Sequence, residues 1–284
     1  MKNILKKIGI AIVIIFALIG LFLTAGYVAL KLGLTNSKGI IDTQRDGFLN
    51  SATSTASQTA NSYLAQNLGQ YYWQTLPEWQ TLQSAILKDR TVINAASADS
   101  GVPARLIISN LIAEQFRFFF DDRESYKKFF APLKILGSQT QFSWGVMGIK
   151  EFTAVQVENN LKDKASLYYL GPQFEHTLDY ATSTNVSTAR FLRMTDQHNH
   201  YYSYLYAGLY LNQIMHQWKA AGFDISNRYE ILSTLYNIGF THSLPNADPK
   251  SGGAPIPIGN QVLSFGTLAS QFYNSNELVN EFPK

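Results

Sequence analysis

The 284-residue chain contains no cysteine, so disulfides cannot hold it together and any exported part must stand on its own core. Charge is sparse at 15% of residues, while 46% are hydrophobic and 13% aromatic, which is ample for a buried interior. A phosphate-binding loop, a dinucleotide fingerprint and a Ser-His-Asp signature are all missing, as is any sustained run of alternating strand pattern. The formal charge of +3 comes from the N-terminus: residues 1–34 hold four lysines and no acid. That leaves 23 minus 4, or 19, basic residues against 20 acidic ones, a balance of −1. A neutral-to-acidic remainder gives nucleic-acid binding no electrostatic basis.

What the chain does have is one long apolar run. From Ile8 to Leu30 no charge occurs, and 23 residues span roughly 34 Å as a helix at 1.5 Å per residue, enough to cross a bilayer. Thr24-Ala25-Gly26 has the small residues of a cleavage site, but Tyr27-Val28-Ala29-Leu30 continues the run, so the expectation is an uncleaved signal anchor. Lys2, Lys6 and Lys7 place residues 1–7 in the cytoplasm and everything beyond the span outside. Residues 31–62, with the stretch NSATSTASQTANS, suit a polar tether, although the same composition also suits an exposed Ala-rich helix. Residues 63–284 then form a single extracytoplasmic domain.

That domain is expected to be mainly α. Between Tyr63 and Gly101 the apolar spacing predicts two helices interrupted at Pro77, and helical patterns recur over 104–120, 151–163, 187–194, 200–221 and 226–237. The segment 251–259, with paired glycines and two prolines, predicts a long loop or a short hairpin arm. The aromatic tail from Ser264 predicts a closing helix, with Tyr273 a candidate for a binding groove.

Within 104–120, Glu114 shares a helix face with Ile107, Leu111 and Phe118. A carboxyl on such a face has its charged form disfavoured and suits a general acid; alternatively it is a surface group paired with Arg117 at i+3, or a buried one satisfied locally. Two later segments carry polar chemistry. Ser143-Trp144-Gly145-Val146-Met147-Gly148-Ile149 sets two glycines around a methionine, a turn that allows close approach. Tyr236-Asn237-Ile238-Gly239 ends a helix with a phenol and an amide at its tip, which as structure is an ordinary glycine cap. The His198-Asn199-His200 run and His216, with only Asp196 close by in sequence, make a poor metal site, and no cofactor is implied. The tyrosines between 201 and 210 suit either sugar stacking or a core.

Taken in order, three motifs resemble the lysozyme-like superfamily, in particular the lytic transglycosylases and goose-type lysozymes, over about residues 92–240. They are Gly101-Val102-Pro103 leading to Glu114-Gln115, Ser143 to Ile149, and Leu235-Tyr236-Asn237-Ile238-Gly239. The resemblance implies a lysozyme-like helical fold that cleaves peptidoglycan glycan strands, with Glu114 as catalytic acid. It implies a groove lined by Ser143, Gly145, Met147 and Gly148, and Tyr236 and Asn237 close to Glu114. Gln115 stands where the motif has Ser, and Gly148 where it has Gln. A hydrolase needs a second carboxylate about 6.5–9.5 Å from the acid. Asp121, Asp122 and Glu124 are the nearby candidates, and Asp121 lies about 10.5 Å along a continued helix. The expectation is therefore a lytic transglycosylase; the alternative is a non-catalytic wall-binding or envelope-assembly module on the same scaffold. The sequence identifies no protein partner.

Overall fold

A computed structural model of the chain describes residues 70–120, 143–181 and 185–284, with Ala17 alone from the earlier sequence. The expected anchor at 8–30, the tether at 31–62 and the acids Asp121, Asp122 and Glu124 lie outside the described residues. Among those described, no helix is long and apolar enough to cross a membrane. All but Ala17 belong to one of two compact units, the one built from Ile40–Asp121 and Gln139–Lys284.

This unit is mainly helical. Among the described residues eight α-helices run in the order α1 (Pro77–Lys88), α2 (Arg90–Ser100), α3 (Ala104–Phe120), α4 (Glu151–Lys162), α5 (Val186–Met194), α6 (Tyr201–Ala220), α7 (Tyr229–Ile238) and α8 (Phe265–Asn274). Two antiparallel hairpins complete it: β1 (Ser143–Trp144) with β2 (Ile149–Lys150), and β3 (Pro255–Ile258) with β4 (Gln261–Ser264). Where the periodicity predicted an interruption at Pro77, the proline instead opens α1 at a position where its missing N–H costs nothing. The break falls at Asp89, whose carboxylate accepts from His200 Nδ1 at 2.6 Å and the Tyr204 hydroxyl at 2.8 Å. The segment 251–259 does enter a hairpin, with Ile256 and Ile258 turned inward and the two prolines outward.

Helix α3 is the axis of the core. Leu106, Ile107, Ile108, Leu111, Ile112, Ala113 and Phe116 are all buried. Nearly every position of the helix is buried, its six polar residues included, so it is enclosed on all sides. It packs on α1, α2, α6, α7, α8 and β3, while α2 lies along α6 and α7 along α8. In its first turn Arg105, fully buried, donates to the carbonyls of Phe272, Tyr273, Ser275, Glu277 and Phe282 at 2.8–3.0 Å. Five carbonyl dipoles replace the water this guanidinium lost, and the C-terminal segment is thereby fixed to the central helix.

Candidate functional site

Glu114 sits in the third quarter of α3 and is only 2% exposed. Arg117, one turn later, holds both of its oxygens: Nη2 donates to Oε1 at 2.5 Å and Nε to Oε2 at 3.2 Å. The i+3 spacing thus forms the pair that a surface glutamate would make, but forms it indoors, where the guanidinium supplies the charge and hydrogen bonds the carboxylate needs. The guanidinium carbon also lies 4.8 Å from the centre of the Phe118 ring.

The β1–β2 hairpin meets this carboxylate. Gly145 and Gly148 both take φ of +66°, a left-handed conformation that favours glycine. A β-carbon at Gly145 would come within 2.4 Å of the Met194 carbonyl oxygen, and one at Gly148 within 1.8 Å of Glu114 Oε1. The carboxylate therefore rests against the bare α-carbon of Gly148, in the space any side chain at 148 would enter. Three helices hold the hairpin. The Gln115 amide Nε2 donates to the Val146 carbonyl at 2.5 Å, the Met147 N–H to Ser203 Oγ at 3.3 Å, and the Tyr236 hydroxyl to the Met147 carbonyl at 2.8 Å. Gln115 thus has a positioning task of its own.

Tyr236 is buried between Tyr210, 5.2 Å away between ring centres, and Phe265, 6.2 Å away. Burial, and then the charge of nearby Glu114, push its phenol well above the ordinary tyrosine range. Asn237 accepts the Ala254 N–H at 2.8 Å, which ties the tip of α7 to the second hairpin.

An open pocket of about 190 Å³ borders these groups, smaller than the roughly 300–1,000 Å³ usual for small-ligand sites. Its walls are Gly148 to Lys150, the first turns of α4, Tyr210, and the end of α7 running on into Phe240 and Thr241. Of the sequence-predicted site residues, Gly148, Tyr236 and Asn237 line it, and Glu114 lies directly behind Gly148. Gly145 and Met147 are buried inside the hairpin instead, and Ser143 contributes backbone pairing to Lys150. Tyr273 does not line the pocket. It is buried and stacked on Tyr229 with ring centres 3.5 Å apart.

The pocket also has residues that pattern alone did not select: Lys150, Phe152, Thr153 and Gln156. Phe152 carries a usable signal, being an aromatic at a solvent-facing position of α4 with 57% of its surface exposed. Tyr210 also borders the pocket, while Tyr204 and Tyr206 of the same stripe belong to the core. Among the described residues no three potential metal ligands converge.

Comparison with known proteins finds no matching family, curated protein or solved structure.

Proposed function

We propose that this chain is a membrane-anchored glycosidase of peptidoglycan, a lytic transglycosylase on a lysozyme-like scaffold, with Glu114 as its single acid and base. One observation carries the proposal. Three segments far apart in sequence meet at one pocket wall, with the Glu114 carboxylate against Gly148 and the Tyr236 hydroxyl bonded to the carbonyl of Met147. In the proposed reaction Glu114 protonates the glycosidic oxygen after N-acetylmuramic acid. It then takes the proton of the muramyl 6-hydroxyl as that oxygen closes onto C1, leaving a 1,6-anhydro end. No carboxylate lines the pocket among its described residues, which favours an internal hydroxyl over an activated water as acceptor.

Action requires the carboxyl to turn from Arg117 toward the pocket. At Gly148 no side chain stands between the two. An apolar run at residues 8–30 and a polar tether would keep the domain within reach of wall strands next to the membrane.

A second reading is favoured by a specific observation: Glu114 is 2% exposed and doubly bonded to Arg117, as a structural ion pair would be. It makes the domain a wall-binding module without activity. Full-length protein incubated with purified peptidoglycan, followed by mass spectrometry of the released fragments, separates the two. Anhydro-ended fragments that disappear in Glu114→Gln, with the variant's circular dichroism unchanged, are expected. Reducing ends would make the domain a hydrolase, and no fragments at all would leave the binding module.

A further inference from the structure

The enclosed carboxylates of the unit are held in two different ways. Asp89, between α1 and α2, accepts from His200 Nδ1 and from the Tyr204 hydroxyl, both at the start of α6. Glu158 of α4 accepts from Arg190 of α5 at 2.6 and 2.7 Å, from the Tyr180 hydroxyl at 2.7 Å and from the Tyr206 hydroxyl of α6. Each of these groups stitches separate elements together. Glu114 stitches nothing: among the described residues both of its hydrogen bonds come from Arg117, one turn along the same helix. Desolvating two charges offsets much of their attraction, and a pair within one helix joins no two parts of the fold.

What this pair does fix is the direction of the carboxylate. The guanidinium engages both oxygens, and a rigid fork holds a carboxylate in one plane where a single ammonium would let it rotate. Because both residues ride on one helix, the pair opens by side-chain rotation alone, with no element moving. Each partner then has a place to stay. Oε1 of the carboxylate lies against Gly148, which lines the pocket. The guanidinium carbon already lies 4.8 Å from the centre of the Phe118 ring, a contact that remains when the carboxylate turns away.

We propose that Arg117 is a latch on Glu114, a positioning residue that keeps the carboxylate turned from the pocket until a glycan strand lies across it. The proposal rests on the glycosidase reading and gives that site a resting, self-inhibited state. Only molecules with the carboxylate turned to the pocket can act, so the observed rate is reduced to that fraction of the full rate. Replacing the fork by one ammonium in Arg117→Lys, or removing the charge in Arg117→Gln, should raise the rate of wall cleavage about tenfold. A pair that served only the fold would give the opposite sign, since its loss leaves a buried charge unanswered and lowers the folded population.

Two readouts on the full-length protein test this. In the first, carboxyl groups are coupled to glycine ethyl ester with a water-soluble carbodiimide and located by peptide mass spectrometry. Glu114 should label about tenfold faster in Arg117→Lys and in Arg117→Gln than in the unmodified protein, while Asp89 labels as slowly as before. The second readout is release of fragments from purified peptidoglycan, which should rise in the same two variants and vanish when Glu114→Gln is added. Unchanged labelling of Glu114 in both variants would overturn the latch. So would labelling of Asp89 that rises in step with it, because the pair would then be holding the fold. Faster labelling of Glu114 with no cleavage by any form would sink the glycosidase proposal alone. Cleavage by the unmodified protein that rises in neither variant would sink the latch alone.

Discussion

At the scale of single residues, the contact between Glu114 and Gly148 is the most exacting feature of the site. Alanine at 148 meets two penalties. A residue with a side chain in the left-handed region costs roughly 1–2 kcal/mol, and the new methyl occupies the place of Glu114 Oε1, 1.8 Å from its own ideal position. Gly148→Ala should therefore destabilise the protein by about 2 kcal/mol or more in urea denaturation. In a Glu114→Ala background the clash is gone and only the backbone strain should remain, so the double-mutant cycle should show a coupling of about 1 kcal/mol. A coupling within error of zero would mean the two residues do not touch. This pair also marks the limit of what the sequence discloses about the site. An apolar helix face singles out Glu114, and spacing offers Arg117 as a partner, but periodicity cannot tell an exposed i+3 pair from a buried one. Nor does it explain the glycine at 148: the reason is a carboxylate from a helix about thirty positions earlier, visible only once both segments are in place. Gln115 is similar, a polar residue whose use depends on the Val146 carbonyl being brought to it.

At the scale of elements, the β1–β2 hairpin depends on its neighbours. Its paired strands are two residues each, far below the length at which a hairpin is stable alone, so its conformation is maintained by the three hydrogen bonds from α3, α6 and α7. Tyr236→Phe removes one of these three ties while keeping the ring between Tyr210 and Phe265, and it leaves the buried carbonyl of Met147 without that donor. Amide exchange over residues 144–149 should then speed by about tenfold, corresponding to roughly 1.4 kcal/mol of local opening, with protection in α3 unchanged. Unaltered exchange in the hairpin would show that it is held by packing alone. The dependence on neighbours also explains which elements were legible. Helices α3, α4, α5 and α6 fall within a residue or two of their periodic patterns, because each presents repeated apolar positions to the core. Two-residue strands have no period to detect. The start of α7 at Tyr229, three positions later than the pattern, and the division at Asp89 in place of Pro77 are set by turn geometry and by His200 and Tyr204, which arrive from elsewhere in the chain.

At the scale of the whole folded unit, the four buried phenols of α6 and α7 make its stability a function of alkaline pH. Tyr204, Tyr206, Tyr210 and Tyr236 each have a pKa raised above the ordinary value of about 10, first by burial. Three also face a carboxylate: Asp89 for Tyr204, Glu158 for Tyr206, and Glu114 for Tyr236. The direction of the effect follows. The folded state retains these protons after the unfolded chain has begun to release them, so the stabilisation is whole below pH 10 and declines as pH rises above it. Each phenol contributes about 1.4 kcal/mol of loss per pH unit, and four together contribute about 5–6. Against a typical stability of roughly 5–15 kcal/mol, the fold should give way between about pH 11 and pH 12.5. Helical circular dichroism should stay intact up to about pH 10. The buried set should then ionise in a single steep step, and absorbance at 295 nm and loss of ellipticity at 222 nm should trace the same curve. The steepness is the diagnostic, because release of several protons in one transition requires that unfolding expose them together. If all tyrosines titrated as one gradual wave near pH 10 while the helices persisted, these phenols could not be enclosed beside Asp89, Glu158 and Glu114. The pocket wall built on Tyr236 would then fall with them.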